Sequence, residues 1–561
     1  MATEPLLSVR DLSIDFALRT HILHAVRGVN FDLRHGQTMC LVGESGSGKS
    51  VTARALLGLV DRPGRISKGT IRLDDGIDIA RLRPGSRAIR RVRGRRIGLV
   101  FQEPMSSLSP VHTIGAQIAE AVRLHRRLDR RAARARVAEL LRAVEIASPE
   151  EMLDRYTFEF SGGMRQRAMI AMALAGEPEV LIADEPTTAL DVTTQAEILD
   201  LIKRLQVERG MAVLLITHDM GIVAEVADQV AVMRFGRIVE QGSVERIFYG
   251  AEHAYTRRLL GATRKLERTG VAPRKSEVSP PILSVRGLGK VFEGRRRMFG
   301  RATSPVRAVS DVSFDLFEGE SLGIVGESGS GKTTVGRMVL RIIDPSEGSI
   351  RYRDRDGASV DLCALGREGR RAYHRDVRLV FQDPFASLNP RLNVKQIVGE
   401  PLLIAGIANG RALDRRVAEL LDMVGLDPLA MERYPHAFSG GQRQRIGIAR
   451  ALALDPRIII ADEATSALDV SIRSQILDLL IGLQARLGLS FLFIAHDISV
   501  VRYFCHRVAV MHRGRIVEIG DTATICSRPA EPYTKSLISA VPNPDPRAKR
   551  MLNRHRFTAA A

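Results

Sequence analysis

A chain of 561 residues exceeds what one compact core usually holds and predicts two or more domains, while 45% hydrophobic and 26% charged residues argue against disorder. Lysine and arginine outnumber aspartate and glutamate to leave a formal net charge of +19, a balance open to a polyanionic partner or to a solvated basic surface. No apolar run approaches the roughly 18 residues of a membrane span, and the start, Met1-Ala2-Thr3-Glu4-Pro5, lacks the basic and apolar regions of a secretion signal. Cys40, Cys363, Cys505 and Cys526 share no C-x-x-C spacing, so a cytoplasmic protein with reduced thiols is expected.

The strand-like run Met39-Cys40-Leu41-Val42 leads into Gly43-Glu44-Ser45-Gly46-Ser47-Gly48-Lys49-Ser50-Val51 and then a helix-like stretch. This is the phosphate-loop pattern. Its glycines let backbone N–H groups turn inward around phosphate, the helix start adds partial positive charge, and Lys49 adds a full one. The Ser50 hydroxyl is then placed to ligate Mg²⁺.

A second strand-like run ends near Gln102, and a helical segment follows from about Ile114 to Ile146. Val180-Leu181-Ile182-Ala183 is a buried strand ending in two carboxylates. Asp184 suits the Mg²⁺ shell, and Glu185 suits the task of polarising an attacking water. A further apolar run closes at His218.

The same series then returns. Gly326-Glu327-Ser328-Gly329-Ser330-Gly331-Lys332-Thr333-Thr334, Gln382, Asp462-Glu463 and His496 repeat the first set in order, with a helical segment from Val394 to Val424 between them. Such long self-similarity means duplication of a domain. The division expected is residues 1–260, a proline-bearing linker at 261–281, residues 282–540 and a C-terminal tail at 541–561. Alternation of β-rich runs with helical stretches predicts α/β halves, each a mixed sheet flanked by helices.

Phe160-Ser161-Gly162-Gly163-Met164 and Phe438-Ser439-Gly440-Gly441-Gln442 lie shortly before the acidic strands and resemble the signature of ABC ATPases. The resemblance covers nearly the whole chain. It makes Gln102 and Gln382 the Q-loop glutamines, which join Ser50, Thr333, Asp184 and Asp462 around Mg²⁺. Ala189-Leu190-Asp191 and Ala467-Leu468-Asp469 become the D-loops, His218 and His496 the switch histidines, and Phe16 and Phe292 the residues that stack on adenine. It implies two P-loop nucleotide-binding domains, each a RecA-like core with an antiparallel β subdomain and an α-helical subdomain. It also implies a head-to-tail intramolecular dimer, in which Ser439 to Gln442 complete the ATP site of Lys49 and Ser161 to Met164 that of Lys332. Met164 departs from the glutamine usual there, which puts the symmetry of the two sites in question; both are expected to hydrolyse ATP.

Import, export, translation control and DNA repair all use such tandem motors. The segments Gln102-Glu103-Pro104-Met105-Ser106-Ser107-Leu108 and Gln382-Asp383-Pro384-Phe385-Ala386-Ser387-Leu388 resemble those of bacterial oligopeptide, dipeptide, nickel and glutathione importers. So do the tails Ala254-Tyr255-Thr256-Arg257-Arg258 and Pro532-Tyr533-Thr534-Lys535-Ser536. That likeness implies a peripheral subunit on the cytoplasmic side of the bacterial inner membrane, bound to two integral-membrane permease subunits and served by a substrate-binding protein. Met105, Leu108, Phe385 and Leu388 either line the groove for the permease or belong to the core. A soluble translation-factor ATPase that contacts RNA is the rival reading; no direct nucleic-acid partner and no iron–sulfur cluster are expected.

Overall fold

The computed structural model describes residues 4–103, 107–188, 190–268, 270–271, 280–293, 305–383, 385–465 and 468–557. Pro104, Met105, Ser106, Ala189, Pro384, Ala467, Met1 to Thr3 and much of the expected linker lie outside them. The chain packs as two units. One holds residues up to Thr263 together with Pro542–Arg554, and the other holds Arg264–Val541 together with residues from His555 on.

In the first unit a six-stranded sheet runs in the order Ile97–Val100, Val180–Asp184, Ala212–Thr217, Thr38–Val42, Gln229–Arg234, Arg237–Ser243. All neighbours are parallel except the last pair. Strands buried on both faces need side chains apolar throughout, and Thr38–Val42, Val180–Asp184 and Ala212–Thr217 are buried at every position. Five of the six strands run parallel, so their carboxyl ends meet at one edge of the sheet. That edge is where ligands bind in such folds.

An antiparallel sheet of Ile22–Leu33, Leu7–Ala17 and Gly64–Leu73 shares one core with the main sheet, through Leu7, Val9, Leu12, Met39, Leu41 and Ile182. The helical subdomain is built from Ile114–Arg126, Arg130–Ala143 and Gly162–Ala173. Thr113 and Asp129 cap the first two by accepting the Ala116 and Ala132 N–H groups. Ile114, Ile118, Val122, Val137 and Leu141 form its buried stripe.

The second unit repeats the plan. Its six-stranded sheet runs Val377–Val380, Ile458–Asp462, Ser490–Ala495, Ser321–Val325, Arg507–His512, Arg515–Asp521. Its antiparallel sheet has four strands, Val306–Leu316, Leu283–Phe292, Glu347–Arg353 and Ser359–Asp361. Helices Val394–Ile404 and Gly410–Met423 match the predicted helical segment.

Of the segment 541–561, Pro542–Arg554 packs within the first unit, where Met551 is fully buried. Leu108 and Leu388 are core residues at 2% exposure, whereas Phe385 is exposed with the Arg443 guanidinium 4.2 Å above its ring.

Candidate nucleotide sites

Gly43 follows the strand Thr38–Val42 at φ 152°, and a Cβ there would come within 2.2 Å of the Met233 carbonyl oxygen. Gly48, at φ 102°, faces the Ala25 carbonyl oxygen in the same way. Only glycine fits both conformation and space, so the loop can wrap closely. It delivers Lys49 at the start of the helix Lys49–Ala55, whose Gly48 N-cap supplies no side-chain hydrogen bond. Lys49 is 5% exposed and donates to the Gly43 and Glu44 carbonyls at 2.7 and 2.9 Å. Lys332 donates to the Gly326 and Glu327 carbonyls, at 2.7 Å each. Both ammonium groups are therefore held inside their loops, around which Ser45, Gly46, Ser47, Ser328, Gly329 and Ser330 complete the turn.

Ser50 Oγ donates to Asp184 Oδ1 at 3.0 Å, and Thr333 Oγ1 lies 3.4 Å from Asp462 Oδ1. Burial pushes both aspartates above the usual carboxylate range, reinforced by the neighbouring Glu185 or Glu463 and opposed by the hydroxyl. A hydroxyl and a desolvated carboxylate side by side, close to a phosphate loop, are a donor set that fits a hard divalent cation. Such a cation would relieve the desolvation that raises the carboxylate. Mg²⁺ bound there would neutralise charge on the phosphate oxygens.

Glu185 sits just past its strand in the left-handed region, at φ 45°, and Glu463 does the same at φ 48°. Each backbone N–H holds the end of the adjacent strand, at Ile216 O and Ile494 O. Strained conformations of this kind persist where surroundings over-determine them. The Glu185 carboxylate accepts from Gln102 Nε2 and Thr188 Oγ1, each at 2.9 Å, and meets His218 Nδ1 at 3.2 Å. Burial alone would raise its pKa, but the His218 hydrogen bond and charge, with the Thr188 hydroxyl and the Lys49 charge, together outweigh burial and bring it down to about 2. In the second unit Gln382 Nε2 lies 2.5 Å from Glu463 Oε2. The His496 Nδ1 atom is buried there without a hydrogen-bond partner among the described residues.

Ser161 and Ser439 N-cap the helices Gly162–Ala173 and Gly440–Leu452. Ser439 Oγ accepts the Gln442 N–H, and Gln442 Oε1 accepts the Ser439 N–H at 3.0 Å, a full capping box. Ser161 accepts the Met164 N–H, but a thioether cannot return an equivalent bond. Gly163 and Gly441 face Thr194 and Ile472 so closely that a Cβ would come within 2.7 and 2.5 Å. Each signature helix thus packs on the helix that follows the D-loop, Val192–Arg209 or Val470–Leu487.

Phe16 is partly buried against the core, with two ring carbons within 3 Å of where a Cβ on Gly64 would stand, whereas Phe292 is 42% exposed with Lys290 Nζ 5.4 Å from its ring. The two tails carry a task at the site that their sequence does not signal. The Glu44 N–H donates to Tyr255 Oη at 2.9 Å and the Glu327 N–H to Tyr533 Oη at 3.2 Å, so a buried tail tyrosine supports each phosphate loop. Thr188 carries little signal in the sequence beyond its place three residues past Glu185.

The ABC transporter profile matches residues 26–188 and 309–466, and the oligopeptide/dipeptide transporter C-terminal region matches 239–301 and 517–558. The glutathione import ATP-binding protein of Salmonella choleraesuis is 49% identical, covering 96% of this chain and 90% of that protein. Proteins of the same description from Pectobacterium atrosepticum and Escherichia coli O157:H7 are each 48% identical, over 96% and 97% of this chain. The chain belongs to the ABC transporter family, as a tandem ATP-binding protein of the oligopeptide/dipeptide importer type. Its activity is ATP hydrolysis coupled to import.

Proposed function

We propose that each half binds ATP with Mg²⁺ and that the two halves of one chain form both composite sites, energising import of glutathione or a similarly small peptide. The observation that carries the chemistry is the Glu185 carboxylate, held by Gln102, Thr188 and His218 one strand away from the phosphate loop. Glu185 and Glu463 orient and polarise the attacking water. Lys49 and Lys332 turn from their loop carbonyls to the phosphates. Ser50 with Asp184, and Thr333 with Asp462, would hold the metal, with Gln102 and Gln382 as further ligands. Phe16 and Phe292 face adenine.

A signature serine at a helix start offers a hydroxyl and backbone N–H groups suited to a γ-phosphate. The signature of each half therefore serves the phosphate loop of the other. Fusion in one chain makes that pairing intramolecular and raises its effective concentration.

The chain works as a peripheral subunit at the cytoplasmic side of the bacterial inner membrane, with two permease subunits and a substrate-binding protein. The match to import ATP-binding proteins supports this, and no helix among the described residues is long and apolar enough to cross a membrane. A groove lined by Leu340, Leu379, Phe381, Gln382 and Ala386 beside Asp462 suits a permease helix. Gln382 lines that groove and also bonds Glu463, which makes it a physical link between dock and site.

Co-expression with the permeases, followed by reconstitution, tests the reading. ATPase activity stimulated by a glutathione-loaded binding protein is expected. A chain that leaves the membranes and follows ribosomes would overturn it.

A further inference from the structure

The helix Met220–Val226 begins directly behind His218, and its Glu225 is fully buried. A buried carboxylate requires donors. Glu225 Oε1 accepts three backbone N–H groups, from Asn543, Arg550 and Met551, each at 3.0 Å. All three belong to the C-terminal segment Pro542–Arg554. Pro542 also lies against Gly221, where an added Cβ would meet it at 3.1 Å. Arg554, 5% exposed in its side chain, pairs with Asp200 in the helix Val192–Arg209. One segment thus grips the helix behind the switch histidine and the helix behind the D-loop.

The second unit has the same arrangement with different chemistry. Asp478, the duplicate of Asp200, takes Lys265 Nζ at 2.5 Å and the Tyr503 hydroxyl at 2.6 Å. Tyr503, the duplicate of Glu225, accepts the Gly270 N–H at its carbonyl, and its neighbour Arg502 pairs with Glu267. Residues Arg264 to Gly270 follow the first nucleotide-binding half in sequence. In each unit the segment that seats the helix behind the switch histidine is therefore contributed by the other half of the duplication.

We propose that Glu225, with the C-terminal segment Pro542–Arg554, is a positioning residue for His218. It fixes the helix Met220–Val226 and hence the contact between His218 and the Glu185 carboxylate, so that hydrolysis at the first site depends on the far end of the chain. Lys265, Glu267 and Gly270 play the same part for His496. This rests on the assignment of Glu185 and His218 to the ATP site.

The test uses the full-length chain, steady-state ATPase kinetics and hydrogen exchange read by peptide. Glu225→Ala is expected to lower kcat at least fivefold with KM for ATP within twofold, and to raise exchange in peptides covering 218–226 and 543–551. Glu225 Oε2 has no hydrogen-bond partner among the described residues, so the amide nitrogen of Glu225→Gln fits there while the other oxygen still accepts. That variant is expected to restore most of kcat. Its use keeps the test valid if Glu225→Ala folds poorly, because a Glu225→Gln chain as impaired as Glu225→Ala would overturn the proposal. So would Glu225→Ala with normal kcat and exchange raised only in 543–551. Full ATPase activity in a chain carrying both Glu185→Gln and Glu463→Gln would instead sink the site assignment, leaving the tail contact standing.

Discussion

His218 Nδ1 lies 3.2 Å from Glu185 Oε1, and this contact sets the charge of the carboxylate in the first site. Burial pushes that carboxyl up; the His218 hydrogen bond and charge, joined by the Thr188 hydroxyl and the Lys49 charge, reverse the direction and take it from 4.5 to about 2. A depressed carboxylate stabilises the folded state fully above its ordinary value of 4.5, and that contribution is lost as pH falls toward 2. The carboxylate is therefore ionised throughout the neutral range.

Replacing the partner should expose the opposing effect. In His218→Ala, burial acts on Glu185 without its main counterweight, so an acid limb that lies below the tested range in the native chain should move up into it. Profiles of kcat between pH 4.5 and 8 for the native and substituted chains decide it. An unmoved limb would mean that His218 does not control the charge of the base.

Glu185→Gln and Glu463→Gln keep the shape of each side chain and remove its basicity. Hydrolysis should fall by roughly a hundredfold or more when both are changed, with ATP binding retained because neither residue belongs to the phosphate loop. Equilibrium binding of labelled ATP alongside phosphate release separates the two effects. Loss of binding together with turnover would point to a structural part for these carboxylates.

The two signature helices differ at their N-terminal caps. Gln442 Oε1 accepts the Ser439 N–H at 3.0 Å, and Met164 has no oxygen with which to do the same for Ser161. Met164→Gln should complete the capping box and stabilise the first helical subdomain by about 0.5–1 kcal/mol. A rise in thermal midpoint of roughly 1–3 °C checks this. The reverse change, Gln442→Met, should cost a similar amount in the second unit.

Much of this arrangement was legible because duplication shows every motif twice. Val180-Leu181-Ile182-Ala183 reads as a buried strand, so Asp184 and Glu185 had to emerge together at its carboxyl end, and the structure holds them there. The glycine spacing marks a loop in the sequence, and the close approaches of Gly43 and Gly48 to Met233 and Ala25 leave room there for glycine alone. Contacts made across long stretches of chain were not legible. Glu225 reads as one polar residue on a short helix, and nothing local signals that its donors lie at Asn543, Arg550 and Met551. Nor do the arginines between 123 and 136 show their partners locally: Arg126 and Arg136 pair with Glu177, and Arg134 with Asp154.

The tail tyrosines give the last prediction. Tyr255 and Tyr533 are 2% and 4% exposed, and each hydroxyl accepts an N–H from the second residue of its phosphate loop. Tyr255→Phe keeps the ring, and with it the Arg234 guanidinium 4.8 Å from the centroid, but removes this acceptor. A net loss of about 1 kcal/mol corresponds to roughly fivefold weaker ATP binding, with kcat near native because the base and histidine are untouched. Tyr533→Phe should behave alike, its ring still stacked on His512 at 4.1 Å. Tyr255→Ala should be worse in a different way, since it also empties a buried aromatic site and lowers the thermal midpoint. KM for ATP measured beside the midpoint distinguishes them: a Phe variant with native KM would reduce the tyrosine to packing alone.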